Sequence, residues 1–244
     1  MACEPTREAV LSWNTRAPSG DLSFRLLRDQ KPATTRLMHS GWRPGMRRSF
    51  SPQESGVRVE TDIIKAEHPF DGVEVCAPGV YFEALGLAIP PRSSPRTEHF
   101  GGAIELAVPT RSQYVVEGER GWCSPASLSM IHAYFGHPMG VAEVAGEVFD
   151  SAYNGTGNWS FNVAFSGRLG LRGFVAYLRD LTHAATFIAA RIPLALSYSW
   201  NADELPGAPI EHSDGHLAVL AGFTDAGDPI VNDPACSQLR AIYP

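Results

Sequence analysis

Residues 121–136, GWCSPASLSMIHAYFG, put a cysteine directly in front of a stretch that reads as a helix. Leu128, Ile131 and Phe135 fall at i, i+3 and i+7, one apolar stripe at helical spacing. Ser124 is placed to cap this helix, Pro125 suits its first turn, and Gly136 can end it. Cys123 then has four readings: a small core residue, half of a disulfide, a metal ligand or a nucleophile. The start of a helix favours the last, because the unpaired N–H groups and the positive end of the macrodipole stabilise a thiolate.

A second helix is expected over 141–149, and one or two more within 166–192. Apolar, β-branched runs follow at 193–199, 216–223 and 229–233, which read as strands. Helices first and an antiparallel sheet after give an α+β order. A thiolate needs a base that accepts its proton and stays as an ion-pair partner, and histidine suits that role. Of the eight histidines, His216 is best placed, at the mouth of the apolar strand HLAVLAGF. The turn TDAGD returns the chain into PIVNDPA, which makes a hairpin with Asp233 at the end of the return strand, as the residue to orient the imidazole. An even loop places His216 and Asp233 on one face, while a simple two-residue turn offsets them along the strands. Gln113 is the glutamine just upstream of Cys123 and can supply a second oxyanion donor beside the Cys123 N–H. Each residue alone has an ordinary reading: a buried cysteine, a hydrogen-bonded core histidine, an Asx turn before Pro234. The order Gln, Cys, His, Asp in these contexts points to acyl-transfer chemistry.

These blocks also resemble a known family. VPTRSQYVVEGERGWCSPASLSMIHAYFG (108–136), GTGNWSFNVAFSGRLGLRGFVAYL (155–178), IPLALSYSW (192–200) and DGHLAVLAGFTDAGDPIVNDPA (214–235) are similar to the double-glycine-peptidase-like cysteine peptidases, the C-thirty-nine-like group of the papain-like clan. The resemblance covers roughly 105–236. It implies Cys123 as nucleophile, His216 as base, Asp233 as orienting acid and Gln113 as oxyanion donor, with no metal or other cofactor. It implies an α+β, papain-like peptidase domain behind a small β-rich domain, acting on a peptide or protein substrate. An acyltransferase using the same site and a catalytically inert binding module are the alternatives. Asn158, Trp159 and Asn162 in TGNWSFN either line the substrate cleft or form a structural loop with Trp159 in the core. Relatives are often exported and continue past NDPA with another strand and a helix. A chain that stops at QLRAIYP is therefore expected to leave a sheet edge uncovered. Cys236 is expected to be a small semi-buried residue; a regulatory disulfide with Cys123 is the lesser reading.

The segment AIPPRSSPRTEHFGG (88–102) has no apolar period and reads as a linker. The expected organisation is a β-rich domain over 1–90, a linker over 91–104 and the peptidase domain over 105–244. Strand-like stretches at 21–29, 57–67 and 71–89 fit a small sandwich, with Trp13 and Trp42 as core residues rather than exposed ligand platforms. Of the 244 residues, 44% are hydrophobic and 19% charged, which suits a globular chain with a sizeable core. A net charge of −6 argues against nucleic acid as a partner. Arg43, Arg47 and Arg48 make only a short basic cluster, read as a solvated loop. The four cysteines have no C-x-x-C spacing, so zinc has little support and one disulfide remains open. No apolar run is long enough for a membrane span, and the N-terminus lacks the pattern of a signal peptide, so the expectation is a cytoplasmic protein, or a secreted one if the N-terminus is incomplete.

Overall fold

The computed structural model describes residues 1–54, 56–91, 102–118 and 121–243. Most of the expected linker therefore lies outside the described residues. The chain forms two compact units, Met1–Arg92 with Glu147–Tyr177, and Ser93–Gly146 with Leu178–Pro244. The division is not the linear one expected, since 147–177 returns to the N-terminal unit.

The first unit holds β1 (Ala2–Asn14), β2 (Gly20–Arg28), β3 (Lys31–Pro32), β4 (Leu37–Arg43), β5 (Met46–Ser49), β6 (Gln53–Glu54), β7 (Val57–Glu60), β8 (Ile63–Cys76) and β9 (Ala84–Ala88). They make one curled antiparallel sheet of order β5-β4-β2-β8-β1-β9, with β3 on β2 and β7 joining β6 to β8. This is a single sheet, not the sandwich expected. Its inner face is closed instead by a helix from later in the chain, Trp159–Arg168, which packs on β1 and sends Phe161 into the core with Leu11, Trp13, Leu22, Phe24 and Phe70.

The sequence gives this helix its start. Asn158 has extended backbone, and its Oδ1 accepts the Phe161 N–H at 3.1 Å, an N-cap bond. The buried Asp62 carboxylate accepts the Trp159 and Ser160 N–H groups at 2.6 and 3.3 Å, where the helix end favours negative charge. Trp13 and Trp42 pack at 5.7 Å in the core, and the Trp42 indole donates to the Ala17 carbonyl at 3.1 Å. The arginine cluster is not a solvated loop. Arg43 pairs with Asp21 at 2.8 Å, and the buried Arg47 pairs with Glu147, which also holds Arg168 at 2.8 Å.

The second unit contains β10 (Ile104–Glu105), α1 (Cys123–Tyr134), the start of α2 (Val141–Val148), and, numbering Trp159–Arg168 as α3, α4 (Leu181–Ala189). Strands β11 (Leu194–Trp200), β12 (Ser213–Phe223), β13 (Pro229–Asn232) and β14 (Ala241–Ile242) follow. All are antiparallel, with β11 and β10 along one side of β12 and β13 then β14 on the other. The residues beyond Asp233 return as β14, which pairs with Ile230 and Val231 of β13 and forms the edge of the sheet. Strand β12 is buried from His216 to Phe223, and both α1 and α4 pack on it. Together the two units give an α+β protein with a β-rich region ahead of the helical one.

Helix α1 is covered almost all round, from Ser124 to Met130 and at His132, so Phe135 of the expected stripe lies outside it and is exposed. Ser124 is inside the helix, not its cap; Trp122 takes the cap position without a side-chain bond, and Gly136 ends the helix at φ +85°. Gly222 is required by a close approach: a Cβ there would stand 2.2 Å from the Ile104 carbonyl oxygen of β10.

Candidate active site

Cys123 is the first residue of α1, and Ser127 one turn on donates its hydroxyl to the Leu217 carbonyl of β12 at 3.2 Å. This bond ties the helix start to the strand that carries His216. Cys123 faces the His216 ring and the backbone N–H groups of Leu217 and Ser124, the groups that act on its charge. Burial pushes the thiol up, but the His216 hydrogen bond and charge, with those two N–H groups, outweigh it and hold the thiol below its ordinary range.

The hairpin geometry depends on a bulge. The five residues Thr224–Asp228 close the turn, pairing Phe223 with Pro229 and Gly222 with Ile230. Continued at that register, Asp233 would stand opposite Val219 and face away from His216. Between Leu220 and Gly222 the register shifts, so Val219 pairs with Asn232. Asp233 then follows opposite Ala218, on the face shared by His216, one diagonal step away. The result is a bond of 2.8 Å between His216 Nε2 and Asp233 Oδ1. With Nε2 engaged, Nδ1 is the ring nitrogen left for the sulfur.

Asp233 is fully buried, and its Oδ1 also accepts the Ala235 N–H at 2.9 Å. Burial pushes its pKa up, and the His216 hydrogen bond and charge override that, holding the group ionised below the ordinary carboxylate range. Burial alone would lower His216; the bonds to Asp233 and Cys123, and their charges, push it up to about 9. A depressed thiol beside a raised imidazole is the condition for a thiolate–imidazolium pair at neutral pH. Tyr198 and Trp200 of β11 flank the imidazole edge-on, with centroids 5.7 and 5.8 Å away and both rings at 83°. This aromatic sheath limits water around the His–Asp bond.

Gln113 is buried, and its backbone N–H donates to the Pro234 carbonyl at 3.0 Å, which fastens its loop to the residue after Asp233. The structure thus bonds His216 to Asp233, sets Cys123 beside the same imidazole, and ties the Gln113 backbone to Pro234. The other three expected site residues, Asn158, Trp159 and Asn162, belong to the other compact unit. Asn158 is completely buried, and both ends of its amide are used: Oδ1 caps α3, and Nδ2 donates to Asp150 Oδ2 at 3.0 Å. It is a structural cap, not a cleft residue. Trp159 opens α3 and Asn162 lies buried within it, so TGNWSFN is a helix start rather than a loop.

All four cysteines are free, and Cys236 is half-buried beside the Tyr243 hydroxyl at 3.5 Å. Among the described residues no three His, Cys, Asp or Glu side chains gather as metal ligands, and no helix is long and apolar enough to cross a membrane. Sequence reasoning missed Tyr198, Trp200 and Tyr243. The alternation in SYSW could have flagged the first two, which share one face of β11; nothing around Tyr243 marks it.

Comparison with known proteins gives a family. A family profile described as "Peptidase C39 like family" matches residues 105–243, which include all four catalytic candidates. No curated protein and no solved structure matches the chain.

Proposed function

The chain belongs to the Peptidase C39 like family, and on that premise we propose that it hydrolyses peptide or amide bonds through a covalent thioester on Cys123. The observation that carries the reading is the 2.8 Å bond between His216 Nε2 and Asp233 Oδ1, with Cys123 at the start of α1 beside the same imidazole.

The Cys123 thiolate attacks the carbonyl carbon of the scissile bond, and the electron pair moves onto oxygen. The Cys123 N–H and the Gln113 side-chain amide stabilise that oxyanion. Collapse of the tetrahedral adduct breaks the C–N bond, and the His216 imidazolium gives its Nδ1 proton to the leaving amine. Neutral His216 then takes a proton from water, which attacks the thioester, and the acid product leaves as the thiolate is regenerated. Asp233 keeps the imidazole in the tautomer and orientation this needs. The substrate is a peptide or protein chain; Asn158, spent as a cap, has no part in gripping it.

The test is incubation with a mixture of unstructured peptides, read by mass spectrometry. New termini are expected with the wild type, in buffer containing a metal chelator, and none with Cys123→Ala. Equal cleavage by both proteins, or cleavage by neither, contradicts the reading.

A further inference from the structure

We infer that Tyr198 and Tyr243 are positioning residues of this centre, their two hydroxyls gripping Oδ2 of Asp233 so that Oδ1 is held toward the His216 imidazole. The inference rests on the proposed role of Cys123 and His216. Tyr243 donates to Oδ2 at 2.8 Å and Tyr198 at 3.3 Å. The other oxygen takes the imidazole at 2.8 Å and the Ala235 N–H at 2.9 Å. A carboxylate has about four lone-pair sites, and here each oxygen carries two donors, so rotation of the group breaks bonds on both sides. Asp233 is fully buried, away from bulk solvent, so losing a donor there is costly.

The two tyrosines come from opposite sides of the sheet. Tyr198 lies on β11 and pairs in register with His216, while Tyr243 directly follows β14. Tyr198 therefore sets both partners at once: its hydroxyl on the carboxylate, its ring edge-on to the imidazole. The direction of the Tyr243 bond is fixed by proton count. A phenol has one hydrogen, and with that given to Asp233 the oxygen accepts from the Cys236 thiol at 3.5 Å. Burial first, then the neighbouring Asp233, push the Tyr198 phenol up; burial and Asp233 do the same for Tyr243, so both stay protonated donors. The titratable groups that face the His–Asp bond are thus Cys123 from α1, Tyr198 from β11, and Cys236 and Tyr243 from the segment after β13.

The experiment is a pH titration of the His216 ring by NMR in the full chain labelled with carbon-13 histidine, the resonance being identified by its loss in His216→Gln. Wild type is compared with Tyr198→Phe, Tyr243→Phe and the double variant, which remove only hydroxyls, and with Tyr243→Leu, which also removes the ring. The expected wild-type midpoint lies above the ordinary histidine range. In the double variant it falls by about one pH unit, the scale of one lost hydrogen bond, mostly through Tyr243→Phe. The freed carboxylate swings and weakens the bond that raises the imidazole. A midpoint that stays in place overturns the inference. So does one that rises, which is what loss of two dipoles drawing charge from the carboxylate would give without any change in position. A fall confined to Tyr243→Leu assigns Tyr243 to packing and also overturns it. Should Tyr243→Phe not fold, Tyr198→Phe alone must show a downward shift. A wild-type His216 that titrates in the ordinary range overturns the cysteine–histidine centre itself, and the inference with it.

Discussion

Replacing His216 with glutamine isolates what holds the Cys123 thiol below its ordinary range. Five contributions act on that sulfur. Burial raises its pKa, while the His216 hydrogen bond and charge and the N–H groups of Leu217 and Ser124 lower it. His216→Gln keeps a polar side chain of similar reach but removes the imidazolium. A hydrogen bond to a charged group contributes about 1.5–3 kcal/mol, which at 1.36 kcal/mol per unit is a rise of about one to two pH units. Burial, the largest single contribution, is then opposed only by two backbone donors, and the thiol moves to or above its ordinary value of 9.0. With a pKa of about 9, only about 1% of the sulfur is thiolate at pH 7. The assay is thiolate absorbance near 240 nm as a function of pH, with Cys123→Ser subtracted to remove Cys3, Cys76 and Cys236. Wild type should show a step below the ordinary thiol range, and His216→Gln a step displaced upward by at least about one unit. Coincident steps, or a wild-type step at or above 9, refute the argument.

Other outcomes follow from the same contacts. Asn158→Ala removes the α3 cap and a donor to Asp150, and should lower stability by about 1–2 kcal/mol, a fall of several degrees in Tm by calorimetry; an unchanged Tm contradicts the cap role. Gly222→Ala forces a methyl against the Ile104 carbonyl and should cost about 1–3 kcal/mol in denaturant unfolding while displacing β10. Burial lowers His39 to about 4, so its folded pKa lies below its unfolded value of 6.5. The neutral ring's contribution is complete above pH 6.5 and is lost as pH falls toward 4, on the order of 3 kcal/mol over that window. Asp62, raised by burial to about 6, acts in the opposite sense and gains on protonation over much of the same range. His39→Gln should therefore flatten the acid loss of stability measured by denaturant unfolding at pH 7 and pH 4.5; equal losses in both proteins speak against a buried neutral His39.

Much of the site was legible because its requirements are local. A cysteine at a helix start, a histidine opening an apolar strand and an aspartate ending the return strand each carry a short sequence signal. What joins them is not local. The bulge between Leu220 and Gly222 decides whether His216 and Asp233 share a face, and no residue type announces it; Gly222 is a trace of β10 passing over it, visible only with Ile104 in place. Helix α3 was concealed by the glycines before it, and its anchors come from far away in sequence: Asp62 at its first N–H groups and the β1 core beneath Phe161. The same long-range packing draws 147–177 into the N-terminal unit, against the linear domain order. A serine before a proline has the residue types of a cap and first turn, whereas the helix begins at Cys123 and is capped by Trp122. Tyr243 entered no sequence argument, since an isolated tyrosine near a chain end carries no period and no motif.

The central claim is a covalent bond to one sulfur. The direct measurement is intact-mass spectrometry of the full chain, acid-quenched within seconds of mixing with a peptide ester, followed by mapping of the modified residue. The account predicts one acyl adduct on Cys123, absent in Cys123→Ala and formed far more slowly in His216→Gln. An acyl group on Cys3, Cys76 or Cys236 instead, or an unmodified protein under conditions where the ester is hydrolysed, contradicts it.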